Sequence, residues 1–204
     1  MIVVVDYGMG NLRSVAKALE HVGASVLVTA DPQRVADAPS VVLPGVGAFG
    51  QATRRLRDRG LWAALAAYLA TGRPFLGICL GMQLLYEESE EHGQGEGLGV
   101  FPGAVRRLPD DRVKVPHIGW NTVTPTSTPE AQAWFAGVPA GSYVYYDQSY
   151  HCPPDGPVAA LTTYGVPIAA AAARGAVWAA QFHPEKSQAV GLRLLSNFVS
   201  GGAA

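Results

Sequence analysis

The chain has 204 residues, 49% hydrophobic and only 15% charged, which excludes an intrinsically disordered protein. Fifteen basic residues against sixteen acidic ones leave a formal net charge of −1, so no basic field recruits nucleic acid or an anionic membrane. No apolar run reaches the roughly twenty residues of a membrane helix, and two cysteines, Cys79 and Cys152, are too few for a disulfide framework. The low cysteine count and the lack of a basic leader at Met1–Asp6 point to a reducing cytosol.

Ile2 to Val5 is a continuous β-branched run, the pattern of a strand buried on both faces of a parallel sheet. Tyr7 to Gly10 reads as a turn. Asn11 reads as the N-cap of a helix from Leu12 to His21, stopped by Gly23. Val26–Val28 and Ser40–Leu43 are the next strands. A loop from Pro44 to Gly50 leads into an arginine-rich helical stretch (Arg54, Arg55, Arg57, Arg59) and a helix from Leu61 to Ala70. Phe75–Ile78 is a fourth strand running straight into Cys79, ahead of a helical pattern over Met82–Glu87. From Gly103 to Ala180, short strands separated by Pro and Gly take over: Tyr143–Tyr146, Val158–Thr162, Ile168–Ala172 and Val177–Phe182. A helix from Gln188 to Val199 closes the chain. The expected architecture is α/β: a mostly parallel open sheet with flanking helices plus an antiparallel strand extension, residues 1–204 forming one domain.

Gly77-Ile78-Cys79-Leu80-Gly81 sits between a strand and a helical pattern. A sharp strand-to-helix turn strains its central residue and thrusts that side chain out at the carboxyl end of the sheet. A helix N-terminus there favours a thiolate, and the Leu80 amide can donate to an oxyanion. The plain alternative is a small core cysteine. Acyl transfer also wants a base and a group that orients it. His183 and Glu185 follow the strand Val177–Gln181, and residues two apart in extended chain share a face. Pro44-Gly45-Val46-Gly47 follows the third strand; it is either a tight turn or a place where backbone amides approach a ligand. No metal-ligand spacing appears, and no cofactor is expected.

The turn around Cys79, continuing Met82-Gln83-Leu84-Leu85, together with His183-Pro184-Glu185, resembles the class I (triad) glutamine amidotransferases. Further segments narrow the likeness: Asp6-Tyr7-Gly8-Met9-Gly10-Asn11, Leu43 to Phe49, Val115 to Asn121, and His183 to Ser187. These are similar to the glutaminase subunits of imidazole glycerol phosphate synthases, over Ile2 to about Phe198. The resemblance implies a Cys79–His183–Glu185 triad and an oxyanion hole from Gly45, Val46, Gly47 and Leu80. It implies glutamine contacts at Gln83 and Glu91, and a docking face with Tyr7, Asn11, Trp120, Asn121 and Lys186. The implied partner is a separate (β/α)8-barrel cyclase subunit that takes up the ammonia. Competing readings are a glutaminase of another pathway and a catalytically idle regulatory module. The Tyr7-to-Asn11 and Gly119-Trp120-Asn121 segments argue against the first, the intact triad against the second. One departure stands out. The family's usual Phe-Val-His-Ser-Tyr segment is Tyr146-Asp147-Gln148-Ser149-Tyr150 here, with Gln148 at the histidine position and His151 as the nearest substitute.

Overall fold

The structure, a computed structural model, describes residues 1–93 and 95–201. The first half alternates strand and helix: β1 (Ile2–Val5), α1 (Leu12–His21), β2 (Val26–Thr29), α2 (Pro32–Ala36), β3 (Ser40–Gly45), α3 (Phe49–Asp58), α4 (Leu61–Ala70) and β4 (Phe75–Cys79). Then come α5 (Leu80–Gln83), β5 (Tyr86–Ser89), β6 (Gly95–Glu96), β7 (Phe101–Arg107), β8 (His117–Pro125) and α6 (Pro129–Trp134). The remainder is β9 (Ser142–Gln148), β10 (Tyr150–His151), β11 (Val158–Tyr164), β12 (Val166–Arg174), β13 (Val177–Ala180), a 3-10 turn (Pro184–Lys186) and α7 (Gln188–Gly201).

Among the described residues, nine strands form one sheet in the order β2-β1-β3-β4-β13-β12-β11-β8-β9. Strands β2 through β13 in that order run parallel, and each later neighbour is antiparallel. The expected antiparallel extension is therefore present, on the β13 side. The continuous apolar run of β1 has the expected cause. Ile2 and Val4 enter the core beneath α1 and α7, while Val3 and Val5 enter the opposite core with Leu56 and Leu65. A strand buried on both faces has no polar side to alternate with.

Several expectations need correcting. Asn11 precedes α1, but its side chain makes no capping hydrogen bond. The loop at Pro44 begins later, because Pro44 and Gly45 extend β3 and pair with Ile78 and Cys79. The helix after Cys79 is one turn long and does not reach Glu87. The backbone beyond it is claimed by the segment that follows. Leu98 N donates to Leu84 O, and Phe101 N donates to Leu85 O, turning Tyr86–Ser89 into a strand. That strand belongs to a second, four-stranded sheet, β10-β7-β5-β6, which the sequence pattern did not suggest. No helix among the described residues is long and apolar enough to cross a membrane.

Candidate active site

Strand β4 delivers Cys79 to the carboxyl end of the parallel strands with φ 55° and ψ −109°, a strained backbone for a residue with a side chain. The two flanking glycines are required sterically. A Cβ on Gly81 would overlap the Leu43 carbonyl oxygen, and one on Gly77 would lie 2.7 Å from the Gly81 carbonyl oxygen. The single turn of α5 supplies free amides but no long macrodipole. Cys79 is 5% exposed. It lines a cleft of about 130 Å³ with Val46, Gly47, Leu80, Gln83 and the backbone turn Asp147 to Tyr150.

His183 Nδ1 lies 2.8 Å from Glu185 Oε1, so the expected pairing is present. Its geometric cause differs from the expected one. Residues Pro184–Lys186 form a 3-10 turn that folds the carboxylate back onto the ring, rather than an extended strand. Both side chains are almost sealed from solvent. His183 Nε2 is buried and has no protein hydrogen bond among the described residues. Burial lowers the His183 pKa, but the Cys79 thiol and then Glu185 raise it more, up to about 10. Cys79 and His183 are thus electrostatic neighbours, and the thiol also lies 3.9 Å from the Asp147 carbonyl oxygen. Catalytic hydrogen bonds are often loose before substrate binds.

Two further buried amides lie behind Cys79. Gln83 Nε2 donates to the Tyr150 carbonyl (3.0 Å) and to Gln181 Oε1 (3.1 Å). Gln181 Nε2 lies 3.9 Å from Cys79 Sγ. Gln181 escaped the sequence reading, although its spacing two residues before His183 carried a signal. Tyr7, expected on a docking face, is fully buried instead. Its hydroxyl stands so close to Gly45 that a Cβ there would be 2.5 Å away. Burial foremost, then the Cys79 charge, raises the Tyr7 pKa.

Of the expected oxyanion residues, Val46, Gly47 and Leu80 line the Cys79 cleft; Gly45 does not, being packed beneath it. Gly47 has φ +90°, a left-handed conformation that glycine adopts without strain. Glu91 does not line that cleft either. Its Oε2 accepts from Phe49 N (2.6 Å) at the start of α3, in a neighbouring hollow of about 410 Å³. The acidic run is not simply solvated: Glu87 accepts from Gly103 N and Glu90 from Arg107 N.

Trp120 and Asn121 are consecutive on β8 and so point to opposite faces. They do not share one docking surface. Trp120 is 45% exposed with its edge on Tyr145 (5.9 Å), and Lys186 Nζ lies 5.3 Å over that same Tyr145 ring. Ile118 and Tyr143 are exposed on the same strand pair. Asn121 Nδ2 donates to the Thr163 carbonyl, and Asn11 is exposed. Gln148 is buried, and both ends of its amide lack a partner among the described residues. The ring opposite it in register is His117, not His151. His117 is stacked between Tyr146 (4.8 Å) and Tyr164 (3.8 Å), and burial lowers its pKa to about 4. His151 sits on β10 with Nδ1 3.1 Å from the Cys152 carbonyl.

Residues 3–200 match the family model described as glutamine amidotransferase class-I. The chain is 48% identical to the imidazole glycerol phosphate synthase subunit HisH of Geobacter metallireducens, over 97% of this chain and 96% of that one. It is also 48% identical to the HisH subunit of Synechococcus elongatus, over 100% of this chain and 94% of the other. A crystal structure of a glutamine amidotransferase, 18% identical, superposes with a TM-score of 0.76 over the full length of both chains. The PurLQS structure from Thermotoga maritima, 17% identical, has a TM-score of 0.73 and covers 98% of this chain and 97% of that one. Both structures share the fold.

Proposed function

We propose a function from one premise: the chain belongs to the class I glutamine amidotransferase family and, within it, groups with the HisH subunits of imidazole glycerol phosphate synthase. It is a glutaminase that hydrolyses glutamine to glutamate and ammonia for histidine biosynthesis, working with a cyclase subunit. We read residues 1–204 as one domain and the cytosol as its compartment. The observation that carries the proposed chemistry is the strained Cys79 thiol beside the buried His183–Glu185 pair.

The reaction follows from those positions. Cys79 Sγ, having passed its proton to His183 Nε2, attacks the side-chain amide carbon of glutamine as a thiolate. The resulting oxyanion faces the Leu80 amide and the Val46–Gly47 backbone. His183 returns the proton to the departing nitrogen, ammonia leaves, and a glutamyl thioester remains. Water then gives a proton to His183, adds to the thioester carbon and expels the sulfur as glutamate forms. Glu185 holds the ring and stabilises its protonated form throughout. Glu91, beside the cleft, is the proposed anchor for the α-ammonium group of glutamine, and Gln83, on the cleft, for its α-carboxylate region.

Ammonia released into neutral water is protonated and loses its nucleophilicity, so it must pass directly to the partner. The cyclase, a (β/α)8 barrel, adds it to a phosphoribulosyl intermediate, giving imidazole glycerol phosphate and an aminoimidazole carboxamide ribotide. Trp120 and Lys186, joined through Tyr145, form the proposed docking patch, to which exposed Asn11 is also assigned. The test is glutamate release by this chain mixed with the cyclase. The expected result is turnover that falls sharply when the cyclase is withheld, as for a site gated by its partner.

A further inference from the structure

We propose that Gln181 is a hydrogen-bond donor that holds Cys79 sulfur in its ionised form, oriented by the Tyr150 carbonyl through Gln83. This rests on Cys79 being the nucleophile. Gln181 has no exposed surface, so its amide must find all of its partners inside the protein. An amide's two ends are distinguished by what faces them. The Tyr150 carbonyl oxygen only accepts, so the Gln83 atom 3.0 Å from it is Nε2. That nitrogen also approaches Gln181 at 3.1 Å, which requires an oxygen there. The Cys152 thiol donates to the same oxygen at 3.8 Å. Gln181 Nε2 is therefore turned toward Cys79 Sγ, its sole hydrogen-bond acceptor among the described residues.

A thiol sulfur accepts weakly at 3.9 Å, whereas a thiolate accepts as a full charge, so the contact selects the ionised form. Gln181 and His183, two residues apart, reach the same sulfur by different means. His183 exchanges a proton with it; Gln181 never releases one. Cys152, otherwise without a part in the chemistry, helps fix the polarity of the relay.

The test is the pH–rate profile of Cys79 alkylation by iodoacetamide, with the adduct mapped by peptide mass spectrometry. The full chain is used as wild type and as Gln181→Met, Gln181→Glu and Gln83→Glu, each checked for folding by thermal melting. Both Gln181 substitutions should slow alkylation near pH 7 about tenfold and move the profile upward by about one pH unit, the effect of one lost hydrogen bond. Gln83→Glu should do the same, because an acceptor there turns the Gln181 amide around. A probe that carries no glutamine backbone separates this effect from substrate binding. Folded variants whose profiles superimpose on wild type overturn the role of Gln181 alone. A wild-type chain whose Cys79 is not alkylated overturns the nucleophile reading and this inference with it.

Discussion

Glu185 Oε1 and His183 Nδ1 are 2.8 Å apart across a 3-10 turn, with both side chains withdrawn from solvent. The carboxylate side chain is almost fully buried, and its second oxygen, Oε2, is buried without a hydrogen-bond partner among the described residues. A buried, unscreened carboxylate acts strongly on the ring it touches. Replacing Glu185 by Gln should therefore lower the His183 pKa from its raised value of about 10 by at least one unit, seen by NMR titration of the ring. Glutamine turnover should fall by about a hundredfold or more, the scale of general acid–base catalysis. A ring titration that does not move would remove Glu185 as the orienting group.

Stability against pH should show two limbs with opposite histidine causes. His183 binds its proton more tightly folded than unfolded, because its pKa rises from 6.5 to about 10. Its contribution is complete below about pH 6.5 and disappears as pH rises toward 10. His117 is the reverse: burial lowers it from 6.5 to about 4. Its contribution is complete above about pH 6.5 and is lost as pH falls toward 4. Melting temperature should thus decline on both sides of neutrality. His117→Phe, which keeps the stacking between Tyr146 and Tyr164, should flatten the acid limb only. An acid limb of unchanged slope in that variant contradicts the assignment.

Gly81→Ala should cost roughly 3 kcal/mol, because the added methyl meets backbone rather than a movable side chain. Differential scanning calorimetry should show a melting temperature lower by about 6–12 °C. Gly93→Ala is the contrast: space is open around Gly93, and the cost there comes only from its φ of +108°.

Trp120→Ala should weaken association with the cyclase by about 2 kcal/mol or more, as for a central aromatic anchor. The isolated chain should melt almost unchanged, because the indole is 45% exposed and touches its neighbours by an edge. Calorimetric titration of cyclase into each chain separates these. An unchanged dissociation constant assigns Trp120 to the fold alone.

Much of the parallel half was legible, because buried strands read as β-branched runs and helices as periodic ones; Ile2–Val5 and Leu61–Ala70 have the expected bounds. The His183–Glu185 pairing was legible because it is local, although it closes across a 3-10 turn rather than along an extended strand, and the approach of Cys79 to it is long-range. Helices α2 and α6 were missed for their brevity, although Asp31-Pro32 and Thr128-Pro129 carry the N-cap and N1 proline signature. The small second sheet was missed because it depends on where residues 97–101 return, a long-range event. Tyr7 was misplaced because a turn motif does not reveal which way its tyrosine points. Trp120 and Asn121 were placed on one docking face by the family resemblance, and strand geometry separates them. Gln181 and His117 are positioned by distant partners, Gln83 and Gln148, that only the fold brings near.

The central claim is that Cys79, and no other residue, carries the glutamyl group. Its most direct test is to incubate the chain and its cyclase with an electrophilic ketone analogue of glutamine and map the adduct by peptide mass spectrometry. The account predicts one covalent adduct on Cys79 and none on Cys152, with labelling abolished in Cys79→Ala that melts like wild type. An adduct on Cys152, or undiminished labelling of the Cys79→Ala chain, would contradict it.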